Sequence, residues 1–316
     1  MTTYILRRLV MLIPVLLVVA VVVFALVHLT PGDPAAVILG DRATPEDIAR
    51  LRDQLGLNDP LPVQFAHWFG NVLRLDFGES IFLGEPVTHA LLDRVQPTVL
   101  LTFYALCIQL LIGIPAGVAA AVRHNSPLDR ALTVVAISGS AIPTFFLGIL
   151  LILIFAVRLR WLPAGGYVPL GEDPVAHLKS MLLPAFALGF SAAGLLARMV
   201  RSSMLDVLRE DYVRTAFAKG MPERLVIILH ALRNALIPAV TVIGVSVGAL
   251  LGGAVVTETV FTIPGMGRLV VQSIARRDYP IIQGAIIAIA MTYVLVNLIV
   301  DVLYVYIDPR VRLGGE

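Results

Sequence analysis

The chain has 316 residues, 58% of them hydrophobic and 15% charged, with a mean hydropathy of +0.88. Soluble domains carry about 25% charged residues, and a globular core of this length could not hide so much apolar surface, so lipid is the expected solvent for most of the chain. The formal net charge of +2, with no basic stripe interleaved with aromatics, argues against a nucleic-acid partner, and the single cysteine, Cys107, excludes an intrachain disulfide or a cysteine-based metal site.

Six stretches of at least 18 residues contain no Asp, Glu, Lys or Arg: Leu9–Gly32, Val95–Val122, Ala131–Val157, Ser180–Ala197, Asn234–Thr257 and Tyr279–Val300. A helix needs about 20 apolar residues to cross roughly 30 Å of hydrocarbon. Backbone groups in lipid must pair within their own segment, so each stretch predicts a helical span. The expected order is a tail 1–8, span one 9–29, an outer segment 30–96, span two 97–122, a loop 123–130, span three 131–157, an outer loop 158–179 and span four 180–200. An inner loop 201–233, span five 234–257, an outer loop 258–279, span six 280–305 and a tail 306–316 complete it. Arg7 and Arg8 before the first run suggest a signal peptide. The run is too long for an h-region and ends in Val27-His28-Leu29-Thr30-Pro31, with no small-residue cleavage site, so it is expected to stay as an anchor.

Loop charge sets the expected orientation. With a cytoplasmic N-terminus, the inner segments 1–8, 123–130, 198–233 and 306–316 hold 13 Lys/Arg against 7 Asp/Glu, and the much longer outer segments 33–94, 158–179 and 258–278 hold 11 against 14. Both termini are therefore expected inside. Pro115, Pro143, Pro184 and Pro238 fall within spans and are expected to kink them unless neighbours compensate. Gly113-x-x-x-Gly117 and the ladder Gly244, Gly248, Gly252 place small residues on single helix faces, which suits close helix packing or a subunit interface.

In the outer segment, Thr44-Pro45-Glu46-Asp47 supplies an N-cap, a first-position proline and first-turn acids, and Gly56 a stop. A second amphipathic piece follows at Val63–Leu73, with Phe65, Trp68 and Phe69. Together they predict a small extracytoplasmic cap. Asp76-Phe77-Gly78 matches a kinase tripeptide by letters alone, without the other kinase elements. Ser191 in span four lacks any histidine base within spans three to six, which argues against an intramembrane protease. Asp301 is the one acid in a helical stretch beyond a charge-free core and is expected to act structurally near the end of span six.

The inner loop carries the most information. Glu210, Asp211, Tyr212, Arg214, Thr215, Ala216, Ala218, Lys219 and Gly220 form a short helical run closed by a glycine, then Pro222 and a second run, Glu223–Arg233. Charges on one side and small residues on the other suit either a connector between spans or a helix that enters a groove on a partner.

The run Glu210–Gly220, followed by His230-Ala-Leu-Arg-Asn-Ala-Leu-Ile-Pro238, resembles the loop of the dipeptide/oligopeptide ABC importer permease family. The resemblance covers nearly the whole chain. It includes Pro31-Gly32-Asp33-Pro34, Leu55-Gly56-Leu57 with Asp76-Phe77-Gly78, Phe261-Thr-Ile-Pro-Gly-Met-Gly267, Asp278-Tyr279-Pro280, Asp301-Val-Leu-Tyr304 and Asp308-Pro309-Arg310. It implies an all-α integral membrane protein with the type I ABC importer permease fold, multi-pass in the bacterial plasma (inner) membrane. The loop is then the coupling helix that docks on an ATPase. The family's Glu-Ala-Ala-x-x-x-Gly pattern falls on Arg214, Thr215, Ala216 and Gly220, so neither the acid nor the first alanine is kept; Glu210 and Asp211 lie nearby.

The implied partners are a homologous second permease in a heterodimer, two cytoplasmic ABC ATPase subunits, an extracytoplasmic solute-binding protein and membrane lipid. Independently of the family, the sequence has no G-x-x-x-x-G-K-[ST] loop. ATP and Mg are therefore expected on the ATPase partners, with no catalysis, cofactor or metal on this chain. Di- or oligopeptides are the expected cargo, with glutathione or nickel as further family options. An ion-coupled secondary transporter or channel subunit is the alternative.

Overall fold

The computed structural model describes residues 2–29, 33–39, 44–54 and 56–307. Among them there are helices and no strand, apart from an isolated Glu79–Pro86 bridge. In chain order these are α1 (Thr2–Leu29), α2 (Pro34–Leu39), α3 (Pro45–Gln54), α4 (Leu61–Leu73), α5 (Val87–Val122), α6 (Pro127–Ala141), α7 (Thr144–Leu151) and α8 (Pro174–Val207). There follow α9 (Asp211–Ala218), α10 (Glu223–Leu225), α11 (Arg233–Val260), α12 (Met266–Arg276) and α13 (Tyr279–Ile307). Wider π-helical turns extend α7 through Ile152–Arg158 and join α10 to α11 through Val226–Leu232.

Each of the six charge-free stretches falls on helix where it is described, apart from the break at Ile142-Pro143 in the third. Four continuous helices, Val87–Val122, Pro174–Val207, Glu223–Val260 and Tyr279–Ile299, are long and apolar enough to cross a membrane. The third stretch is two helices, Pro127–Ala141 and Thr144–Arg158, that meet at 105°. Proline restricts the residue before it to extended backbone, and Ile142 sits at φ −75°, ψ 125° just ahead of Pro143. Pro115, Pro184 and Pro238 lie inside helices that continue past them. The described apolar part of α1 is the shorter Ile13–Leu29.

The chain forms two compact units. One comprises the residues up to Gln96 with Arg268–Leu295, and the other is built on Pro97–Gly267. In the first unit the Thr44 cap forms as the sequence suggests. The Thr44 hydroxyl accepts from the Asp47 amide (3.2 Å) and donates to the Asp47 carboxylate (2.6 Å), which holds that carboxyl below its ordinary range. Gly56 closes α3 with a left-handed φ of +65°. The rings of α4 pack on α1: Phe65 meets Phe24 edge-on at 5.4 Å and stacks on Phe69 at 5.5 Å.

Also in the first unit, Asp278 binds the turn 80–83. Its buried carboxylate accepts from the Ser80 hydroxyl (2.5 Å) and from the amides of Ile81 (3.3 Å) and Phe82 (3.2 Å). The Arg276 guanidinium lies 3.5 Å over the Phe82 ring. Replacing Asp278 with alanine orphans these donors, and buried unsatisfied groups cost about 1–3 kcal/mol each. We expect Asp278→Ala to expose the 79–84 turn to limited proteolysis, with Asp278→Asn much closer to the unaltered chain. Equal protection of the alanine variant refutes the anchoring role.

In the second unit α8 is the central helix, and small residues let its neighbours come close. From α5, Gly113 faces Leu196, and a β-carbon at Gly117 would lie 2.6 Å from the Ala197 carbonyl oxygen. On α8 itself, a β-carbon at Gly189 would strike the Ala105 carbonyl, and one at Gly194 the Ala136 carbonyl of α6. The Gly113-x-x-x-Gly117 face is therefore used within the chain. Two apolar clusters fill the unit, one around Leu101, Met181, Leu188, Leu250 and Phe261, the other around Leu196, Val200, Met204, Ala235 and Ala239.

Candidate functional site

The segment between α8 and α11 holds the residues expected to meet a partner. An eight-residue helix is not stable alone in water, so α9 must be held by what it packs on. Val213 and Ala216, three residues apart and thus on one face, are buried against Val207, Leu208, Met221 and Val226. Gly220 adopts φ +75° and closes the helix: its amide reaches the Phe217 carbonyl (2.9 Å), and the Met221 amide reaches that of Ala216 (3.3 Å). The Tyr212 hydroxyl accepts from the Asn234 side-chain amide at 2.7 Å and donates to the His230 carbonyl at 3.4 Å. The helix is thereby tied to α8 on one side and to the start of α11 on the other.

Its outer face carries Glu210, Asp211, Arg214, Thr215, Phe217, Ala218 and Lys219, all exposed. Arg214 and Asp211 approach to 3.7 Å in the open, a pair worth little in water. The charges balance, and in their midst Tyr212 (41% exposed) and Phe217 (43%) are large hydrophobic rings in the open. The structure separates the small residues that the sequence sets opposite the charges, since Ala218 and Gly220 are exposed. Ala216 is turned into the chain's own core, and the group turned outward is Phe217. The spacing of Val213 and Ala216 carries that signal, because a helix that buries those two must present position 217 elsewhere.

Of the glycine ladder, Gly244 is buried, Gly248 half-buried and Gly252 exposed, with open space where a Gly252 β-carbon would stand. Asp301 lies on α13, with its side chain outside the described residues. Pro31, Gly32, Leu55 and Asp308–Arg310 also lie outside them.

The sequence reading missed the buried polar contacts of the second unit. Glu258, at the end of α11, is fully buried and accepts from the Thr98 hydroxyl at 2.6 Å; that hydroxyl in turn accepts from the Met266 amide at 2.9 Å. Gly265 makes room, since any side chain there would collide with the Glu258 carboxylate. Gln109 on α5 and Ser246 on α11 exchange hydrogen bonds at 2.9 and 3.1 Å. His177 accepts from or donates to Tyr104 at 3.1 Å and meets the Val168 carbonyl at 2.7 Å; the carbonyl can only accept, so Nδ1 carries the proton and Nε2 accepts from the tyrosine. The Glu258 and His177 contacts fix a helix end and a loop, and the Gln109–Ser246 exchange joins α5 to α11 in mid-helix. No group of three or more His, Cys, Asp or Glu side chains among the described residues could hold a metal ion.

Residues 113–313 match the family described as binding-protein-dependent transport system inner membrane component, and residues 1–102 match the N-terminal component of the same membrane proteins. A probable peptide ABC transporter permease protein of Sinorhizobium fredii is 47% identical over 312 residues, covering 99% of this chain and 100% of the relative. A glutathione transport system permease protein of Salmonella typhimurium is 47% identical over 312 residues, covering 99% of each. Among solved structures, an inward-facing form of the MetNI methionine ABC transporter superposes with a TM-score of 0.57 at 19% identity, over 69% of this chain and 95% of that one, a likeness of fold. The chain belongs to the binding-protein-dependent transport system inner membrane component family.

Proposed function

We propose that this chain is one permease half of an ATP-driven importer of small peptides or a peptide-like solute such as glutathione, the cargoes named for its relatives. It crosses the inner membrane six times with both ends in the cytoplasm, α1 and the bent α6–α7 pair counting as spans. It pairs with a homologous permease and receives solute from an extracytoplasmic binding protein. It performs no catalysis itself, and two cytoplasmic ATPases hydrolyse the nucleotide. α9 is the lever they grip, with Tyr212, Phe217 and the charged residues Glu210–Lys219 as the docking face. Closure of the ATPases draws the levers together and tilts α8 and α11, which requires contacts that differ between the two states.

The observation that supports this reading most directly is the two-sided character of α9: an inner face packed on α8 and the root of α11, and an outer face with a bare aromatic ring among balanced charges. Buried aromatics are the usual anchors of protein interfaces, and loss of one costs about 2 kcal/mol or more, roughly 30-fold in affinity. Phe217→Asp in the reconstituted complex is expected to reduce both solute uptake and binding-protein-stimulated ATP turnover by about that factor, with the chain still folded. Unchanged uptake and turnover refute the docking assignment. Ala216 is the poorer probe, because bulk there disturbs the inner packing first. The buried Glu258 is the observation that favours an ion-coupled transporter instead. Uptake that survives ATP depletion and collapses with an uncoupler is the result that supports it.

A further inference from the structure

A cavity of about 660 Å³ opens within the first unit, bounded by the end of α1, the α3–α4 region and the start of α13. Small-molecule sites occupy about 300–1,000 Å³, so its size suits a small solute. Its charged lining is unbalanced. Asp33 is neutralised by Arg52 at 2.8 Å, while Asp53 and Asp59 have no ion-pair partner among the described residues. Asp53 takes one hydrogen bond from the Asn58 amide. Trp68 and Phe24 line the same space. Tyr279, also on the wall and 6% exposed, has a buried hydroxyl with no hydrogen-bond partner among the described residues.

His28, His67 and three aspartates line the same space, yet no metal-holding group converges there among the described residues. The lining therefore suits an organic cation better than a metal ion. Unpaired carboxylates in a cavity that is also lined by aromatic rings recognise ammonium groups, and an orphaned tyrosine hydroxyl suits the polar backbone that such a group is attached to.

We propose that this cavity binds small peptides by their free α-ammonium group, held between Asp53 and Asp59 and against Trp68, with Tyr279 bonding the adjoining peptide unit. The inference rests on the peptide-importer reading for its ligand class, and it adds a solute site on the permease itself, in the segment after α1. Glutathione also carries a free α-ammonium group, so both kinds of cargo named for the relatives fit the same chemistry.

The chain holds two tryptophans, Trp68 and Trp161, so the full-length Trp161→Phe chain in detergent micelles leaves Trp68 as the only indole reporter. Titration with dialanine is expected to change Trp68 emission saturably. N-acetyl-dialanine, which lacks the ammonium group, is expected to bind at least about tenfold more weakly, as is dialanine on the Asp53→Asn/Asp59→Asn variant, the scale of a lost charged hydrogen bond. Tyr279→Phe is expected to weaken dialanine binding several-fold. Both aspartates are exposed, so their amide variants keep the fold. A flat Trp68 signal into the millimolar range, or equal binding of the acetylated peptide, overturns the proposal. If Trp68 is silent while the reconstituted complex still takes up dialanine on ATP, the cavity assignment fails and the importer reading stands. Saturable, ammonium-dependent binding with no ATP-driven uptake keeps the cavity and removes the importer reading.

Discussion

Gly194→Leu is expected to leave almost no folded chain after detergent extraction. The β-carbon alone would collide with the Ala136 carbonyl oxygen and stand 2.5 Å from the Ser140 hydroxyl oxygen, both on α6. Backbone oxygens cannot step aside as a flexible side chain can. To admit leucine, α6 and α8 must separate along the length of their contact, including where Gly139 leaves room for the Phe190 ring, which a β-carbon there would meet at 3.0 Å. Overpacking a tight core costs about 1–3 kcal/mol when it can relax, and here the obstacle is a second helix. We expect the loss to exceed that range and to appear as aggregation in size-exclusion chromatography. Gly252→Leu, at a glycine with open space around it, serves as the matched control and is expected to leave the monodisperse peak intact. A Gly194→Leu chain that elutes like the unaltered protein rules out the close α6–α8 approach.

The second large effect concerns the ion pair that ties the start of α6 to α8. Asp129 accepts from Arg201 twice, at 2.6 Å and 2.8 Å, with His124 at 3.3 Å from the same carboxylate. Its other duties are local: it accepts from the Asn125 amide, and its own amide is capped by Ser126. The Asp129 side chain is 4% exposed and that of Arg201 27%. Removing one partner of such a pair strands the other charge away from water, at a cost of about 3–5 kcal/mol when both are buried. Arg201 keeps some contact with solvent, so we expect about 3 kcal/mol for Arg201→Met, the low end of that range. Arg201→Met with Asp129→Leu is expected to recover most of it, because no orphaned charge remains. Unfolding midpoints in mixed micelles give the comparison. A double variant no better than the single one refutes the pairing as the source of the loss.

Much of the helical framework was legible in the sequence because lipid imposes a simple rule. A stretch free of charge over 18 residues has few alternatives to helix, and apart from the break at Ile142-Pro143 each such stretch in this chain falls on helix where it is described. Local chemistry was equally readable at Thr44 and Gly56, where a cap and a stop act within a few residues of themselves. Pro143 shows the limit. Four prolines share the same sequence context, and only at Pro143 do the helices part, since the others are continued by packing that a sequence does not display. The polar contacts were invisible for a related reason. Thr98 and Glu258 are 160 residues apart, and Ser80 and Asp278 are 198. Each looks in isolation like an ordinary loop or helix-end residue. On α9 the sequence set charges against small residues without saying which of the small ones its own chain claims: Ala216 is buried, while Ala218 and Gly220 are exposed.

The π-helical stretch Val226–Leu232 has a bearing on how chains of this kind can diverge. A wide turn of that sort arises when a helix accommodates a surplus residue without being broken. An ordinary helix advances about 100° per residue, so losing one residue from this stretch would swing Asn234 away from the Tyr212 hydroxyl it now donates to. Insertions and deletions of single residues should therefore be filtered severely between α10 and α11, and tolerated far more readily in surface turns, where no downstream azimuth depends on the count.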